Sequence, residues 1–161
     1  MFALDFSKAF DTVKHDNLLG KISLLDISDE VYNWTQDFFE EHSHCTKFDG
    51  ITSTFIELYA SVFQGSGIGP AAFVVNASDL QPANACITLM KYADNTYLIV
   101  PASASYSVEN ELVRIEAWSK ENNQQLNQAK SQEIIFAARR KQPSQPYPVK
   151  SIRQVESLKV L

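Results

Sequence analysis

The chain has 161 residues, 45% of them hydrophobic, and a formal net charge of -5. This size and apolar content describe one ordinary domain with its own core and exclude a disordered tail. The mild acidity argues against strong unaided nucleic-acid binding, although a local basic groove remains compatible with it. The longest apolar run, Ala71 to Val75, is too short to cross a bilayer. Cys45 and Cys86 are the only cysteines and lack zinc-site spacing. They point to a reducing, intracellular setting, cytoplasm or nucleus, without a disulfide framework. No signal peptide opens the chain, and its start inside a strand-like run leads us to expect further protein upstream.

In chain order, Phe2 to Phe6 reads as a short apolar strand with a carboxylate at Asp5, followed by a turn over Ser7 to Asp11. Asp16 is the expected N-cap of a first helix carrying Leu18, Leu19, Ile22 and Leu25. Ser28 is the expected cap of a second, whose apolar stripe of Val31, Trp34, Phe38 and Phe39 reads as core. His42, His44 and Cys45 fit an edge strand better than a metal site, since their spacing is loose. A hairpin turn at Asp49-Gly50 then leads into a returning strand over Thr52 to Val62. The glycine-rich stretch Gln64-Gly65-Ser66-Gly67-Ile68-Gly69-Pro70 precedes a helical run from Ala71 to Leu80. Its glycines allow close backbone approach to a ligand, but the spacing matches neither a Walker loop nor a dinucleotide fingerprint.

Tyr92-Ala93-Asp94-Asn95 lies between two β-rich segments and predicts a hairpin turning at Asp94-Asn95, with the Asp94 carboxylate at its tip. Ser105 or Ser107 opens an amphipathic helix with Val108, Leu112, Ile115 and Trp118 inside and Glu109, Glu111, Arg114 and Glu116 outside. Leu126 to Lys130 is a turn, Glu133 to Phe136 a strand, and Val155 to Leu161 a final β-like run. The boundaries expected are a core over 1–138, a basic proline-rich loop over 139–148, and a C-terminal strand region beginning at 149–161. Two long crossovers around a central antiparallel hairpin match an α+β, ferredoxin-like plan, with helices on one face of an antiparallel sheet. In that plan Asp5 and Asp94 can face each other at one end of the sheet. Paired carboxylates suit Mg2+, and two such ions clamp the attacking and leaving oxygens of a phosphoryl transfer.

Four motifs also carry a resemblance. Leu4-Asp5-Phe6-Ser7-Lys8-Ala9-Phe10-Asp11, Phe63 to Pro70, Tyr92-Ala93-Asp94-Asn95, and Leu126-Asn127 with Lys130 and Glu133 to Phe136 resemble, in order, the palm motifs of reverse transcriptases, especially those of non-LTR retrotransposons. Val155 to Leu161 resembles the strand leading to their primer grip. The resemblance implies a polymerase palm performing template-directed DNA synthesis from dNTPs on an RNA template and DNA primer. It implies a two-ion Mg2+ (or Mn2+) site on Asp5, Asp94 and position 95, with Lys130 as proton donor to pyrophosphate. Phe6, Phe10, Gln64 and Gly65 would contact the nucleotide, Phe10 lying beneath its sugar. Asp11 and Asp79 are read as structural.

Asn95 departs from the family pattern, which has a second aspartate there, so the metal site loses a unit of charge. The resemblance also implies fingers before the first motif and a thumb after the last, both outside this chain, so that synthesis is expected to be impaired. The alternatives are a non-catalytic, degenerate retroelement fragment and a ferredoxin-like interaction module. A nucleotide cyclase on the same plan is disfavoured by the Gln-Gly-Ser loop and the Leu-Asn-x-x-Lys motif.

Overall fold

The computed structural model describes residues 1–40, 42–63, 65–136 and 152–158. Gln64, the basic proline-rich loop expected over 139–148, and 159–161 at the end of the final β-like run lie outside them. The elements in order are β1 (Phe2–Ser7), α1 (His15–Ile22), α2 (Asp29–Phe39), β2 (Ser43–His44), β3 (Lys47–Phe48), β4 (Ile51–Thr52), β5 (Ile56–Glu57) and α3 (Gly69–Asn76). The hairpin β6 (Thr88–Tyr92) and β7 (Asn95–Ile99) follows, then a 3-10 segment (Ala102–Ser107), α4 (Val108–Glu121), β8 (Gln125–Leu126), β9 (Gln132–Glu133) and β10 (Arg153–Gln154). They form two compact units, one of Met1–Ala9 with Leu80–Leu161, the other of Phe10–Asp79.

The first unit is built on a sheet in the order β10-β9-β1-β7-β6, with β8 also pairing β1. The β1, β6, β7 and β9 pairings are antiparallel, and β10 joins β9 in parallel. Taken in chain order, those four strands lie as 4-1-3-2, the split β-α-β arrangement of a ferredoxin-like sheet. Alternation in β1 puts Phe2, Leu4 and Phe6 on the buried face and Ala3, Asp5 and Ser7 on the more open one. Phe6 meets Trp118 of α4 edge-on, ring centroids 6.0 Å apart, and Leu112 and Ile115 of that helix are buried as their spacing predicts.

Glu111 departs from the expectation that it lies on the wet side of α4. It is only 2% exposed. Its carboxylate accepts hydrogen bonds from the backbone N–H groups of Ala83 (3.0 and 3.1 Å) and Asn84 (2.8 Å). The loop leading to β6 needs acceptors for those amides, and this demand overrides the polarity pattern of the helix. Lys91 and Arg114 donate to the carbonyls of Leu80 and Gln81 in the same loop.

In the second unit, α1 is preceded by Lys14 as N-cap rather than Asp16, which sits in the first turn. Its negative charge suits the helix's positive end there. Ser28 occupies the N-cap of α2 as expected, without a side-chain capping bond. The stripe read as core on α2 is only partly so. Thr35 and Phe39 are buried, whereas Val31 and Trp34 are 51% and 55% exposed. The helix is rolled so that Thr35, its hydroxyl donating to the Val31 carbonyl at 2.8 Å, turns inward in their place.

The returning strand expected over Thr52 to Val62 is broken. β4 closes the Asp49-Gly50 hairpin onto β3, both turn residues having positive φ (+48° and +75°). β5 pairs β2, and the remainder bonds back irregularly, Ser61 N–H to the Val13 carbonyl and Val62 N–H to that of Phe10. α3 begins at Gly69 and stops at Asn76, short of Leu80. Two further strand expectations are displaced: β9 covers Gln132–Glu133 rather than Glu133 to Phe136, and the last strand is Arg153–Gln154, ahead of the expected run, of which Val155 to Leu158 lie outside any strand.

Candidate active site

The first unit brings two of the sequence-derived acidic positions to one end of its sheet. β1 and β7 pair with Asp5 directly opposite Asn95. Opposed residues on antiparallel strands point to the same face, so Asn95 shares the open face with half-buried Asp5. Tyr92 closes the hairpin against Asn95, so the turn is Ala93-Asp94 rather than the expected Asp94-Asn95. Ala93 takes φ +50°, a left-handed conformation that costs on the order of 1 kcal/mol for a residue with a Cβ. The slip of one residue leaves Asp94 exposed on the turn and places Asn95 inside the strand. The Asn95 amide donates to the Asp94 carboxylate at 3.3 Å.

Asp5 is held from its other side by groups that the motif did not single out. β8 pairs Phe6 and Ser7, β9 pairs Phe2 and Ala3, and the chain between β8 and β9 passes Asp5 as a loop. Asn127 N–H donates to the Asp5 carbonyl at 2.8 Å. Asp5 N–H donates to the Ser131 hydroxyl oxygen at 3.2 Å. Both bonds leave β1 on the side away from β7, so Asp5 and Asn95 form a non-hydrogen-bonded pair, the kind whose side chains approach most closely. Ser131 is fully buried, and its hydroxyl donates to the Asn127 carbonyl at 2.8 Å. Lys130 is exposed on this loop, its backbone N–H bonded to the Asn127 side chain at 3.1 Å. Nothing in the local sequence marks Ser131, because its partner lies at the opposite end of the chain.

The nucleotide-contact candidates divide between the units. The Phe6 side chain belongs to the buried face of β1, away from Asp5. Phe10 and Gly65 belong to the second unit, where they line a cavity of about 440 Å³ with Phe63, Ser66, Gly69 and Pro70. Phe10 is stacked on Phe73 with centroids 4.4 Å apart, which fixes the ring as a wall. Gly65 has φ +85°, a conformation natural to glycine. At Gly69 a Cβ would lie 3.0 Å from the Phe63 carbonyl oxygen, so a larger residue would press on the tight turn into α3. Gln64 lies outside the described residues.

The whole chain, residues 1–161, matches the family described as reverse transcriptase (RNA-dependent DNA polymerase). The chain belongs to the reverse transcriptase family. It is 30% identical over 148 residues to the RNA-directed DNA polymerase from mobile element jockey of Drosophila melanogaster, covering 84% of this chain and 16% of that protein. It is 24% identical over 152 residues to the probable RNA-directed DNA polymerase from transposon X-element of the same fly, covering 89% and 17%. This reverse-transcriptase-like domain therefore spans about a sixth of the length of the curated relatives it matches. Those mobile-element relatives agree with the resemblance to non-LTR retrotransposon polymerases. Apo telomerase from Candida tropicalis, truncated from its C-terminal domain, shares the fold with a TM-score of 0.58 at 14% identity, over 81% of this chain and 29% of that one.

Reverse transcriptases use divalent metal ions and act on template and primer strands. The Asp5 and Asp94 carboxylates and the Asn95 side-chain oxygen are hard oxygen donors, the type that suits such an ion, with Asp5 opposite Asn95 and Asp94 next to it on the turn. Among the described residues no group of three or more His, Cys, Asp or Glu side chains is placed to hold a metal ion. A pair of carboxylates completed by water and substrate phosphate is how Mg2+ is ordinarily bound. No helix among the described residues is long and apolar enough to cross a membrane.

Proposed function

We propose that this domain is the palm of an RNA-directed DNA polymerase, with Asp5 and Asp94 as metal-binding catalytic carboxylates and Asn95 as a neutral oxygen donor. The observation that carries the proposal is the register that sets Asp5 opposite Asn95 with Asp94 next to it on the turn. Bound Mg2+ or Mn2+ supplies Lewis-acid stabilisation of the oxygens in nucleotidyl transfer. Phe10 and Gly65, which line the cavity of the second unit, are the proposed nucleotide contacts, Phe10 being the residue proposed to act on the sugar. Phe6 is a further proposed nucleotide contact, and the candidate Gln64 lies outside the described residues. Lys130 donates the proton that the departing pyrophosphate takes up. RNA template and DNA primer are the partners, and such substrates imply an intracellular site of action.

One observation favours a second reading, in which the domain has lost catalysis: Asn95 removes one negative charge from the site and spends an amide proton on Asp94. Calorimetric titration of Mn2+ into the full chain tests the metal site on which both readings turn. The polymerase reading expects saturable binding that Asp5→Ala and Asp94→Ala each abolish. Absent binding, or binding indifferent to both substitutions, would overturn it and leave the non-catalytic reading.

A further inference from the structure

We propose that Ser131 is a positioning residue for the metal-binding carboxylate of Asp5, an inference that rests on the role proposed for Asp5 above. β1 is paired by β7 from Phe2 to Asp5, while its other edge is shared by two short strands that leave a gap at Asp5. In a continuous ladder the N–H of Asp5 would donate to a strand carbonyl. Here the hydroxyl of Ser131 takes that place at 3.2 Å, and the Asn127 N–H completes the rung at the Asp5 carbonyl at 2.8 Å.

The hydroxyl is itself fixed. It donates to the Asn127 carbonyl, and the backbone N–H of Ser131 donates to that same carbonyl at 2.9 Å. The loop is further tied by Lys130 N–H to the Asn127 side chain. Ser131 has no exposed surface, so water does not substitute for its oxygen. The main chain of Asp5 is therefore clamped at both its polar atoms by one five-residue loop, Asn127 to Ser131. The aim of the Asp5 side chain on the open face, beside Asn95, depends on that clamp. Second-sphere groups that orient metal ligands in this way commonly change metal affinity by 10–100-fold when removed. A serine whose only task were loop packing would leave the ion unaffected.

The test uses the full chain with Ser131→Ala, Ser131→Thr and Ser131→Cys, read by Mn2+ calorimetry and by amide hydrogen exchange at Asp5 and Leu4. Ser131→Ala is expected to weaken Mn2+ binding by about tenfold and to speed exchange at Asp5 while leaving Leu4, which faces β7, protected. Ser131→Thr keeps the hydroxyl and is expected to restore both. Ser131→Cys, a weak acceptor of similar size, falls between them and stands in should Ser131→Ala fail to fold. Wild-type affinity in the Ala or Cys variant, with wild-type binding lost in Asp5→Ala, would overturn the positioning role alone. No Mn2+ binding by the wild type would instead overturn the metal role of Asp5, and the positioning role with it.

Discussion

Replacing Glu111 by alanine removes the acceptor for two backbone amides, those of Ala83 and Asn84. A donor left unpaired costs ~1–3 kcal/mol, and hydrogen bonds to a charged partner are the stronger ones. Ala83 is exposed and Asn84 half-buried, so water recovers part of each loss and the lower end applies, about 2 kcal/mol in all. For a chain of this size that is a fall in Tm of ~4–8 °C. Glu111→Gln keeps one acceptor oxygen but turns an amide N–H2 toward a donor, and is expected to lose about half as much. Thermal and urea unfolding followed by circular dichroism measure both, and amide exchange at Asn84 reports the bond directly. A Glu111→Ala variant within 0.5 kcal/mol of wild type, the range of an ordinary surface substitution, would refute the anchoring role. It would return Glu111 to the wet face that the helical pattern assigns it.

Asn95→Asp is expected to tighten Mn2+ binding about tenfold while lowering metal-free stability by more than ~1 kcal/mol, since like charges would then face each other across β1 and β7 in a half-buried pair; calorimetry and melting without metal check the two signs. Burial pushes the Glu133 carboxyl above its ordinary value, the Met1 amino group pulling partly back. The folded state therefore holds that proton more tightly than the unfolded one. The associated stability is complete below the ordinary glutamate range and is lost as pH rises through the raised value. Glu133→Gln should flatten that part of the stability–pH profile and be more stable than wild type at neutral pH, as urea midpoints across pH would show. Asn76 is fully buried, and neither side-chain amide atom has a partner among the described residues. Asn76→Leu removes two unpaired groups at similar volume and is expected to gain about 1 kcal/mol; a loss would mean the amide is satisfied.

Those features of the fold set by repeated local signals were legible in the sequence. Alternation in β1, the β-rich flanks of Tyr92 to Asn95 and the spacing of Leu112 and Ile115 suffice for a ferredoxin-like sheet whose first strand adjoins the hairpin. Register was not, because a turn over Ala93-Asp94 and one over Asp94-Asn95 use the same residues. In the observed register Thr96 and Leu98 stand on the face of Leu4 and Phe2, while Tyr97, also buried, stands on the other, so no simple alternation marks the register. The roles of Glu111 and Ser131 were hidden for another reason. Each answers a backbone donor far away in sequence, 28 positions for Glu111 to Ala83 and 126 for Ser131 to Asp5. The α2 stripe misled because periodicity fixes the width of an apolar face but not the roll of the helix about its axis, so Val31 and Trp34 stayed outside.

The one-residue slip of the turn also changes what Asn95 means. Had the turn been Asp94-Asn95, both side chains would stand in water, and a second carboxylate there would cost little, about 1 kcal/mol at 4 Å in bulk solvent. In the observed register only Asp94 stands on the exposed turn. Position 95 lies in a close, non-hydrogen-bonded pair with half-buried Asp5, where the effective dielectric is lower and repulsion several-fold larger. Without a cation, a carboxylate at 95 would therefore be the most strained charge of the three. Asparagine removes that repulsion while keeping an oxygen of the same reach, and its amide proton ties down the Asp94 carboxylate. The tip is thus ordered by its own hydrogen bond where three carboxylates would need a bound ion to be reconciled. Stability without metal and affinity for metal are set against each other at this one position. On the proposed reading Asp5 and Asp94, one held by the Asn127–Ser131 loop and the other solvated on the turn, keep the charge that would attract an ion.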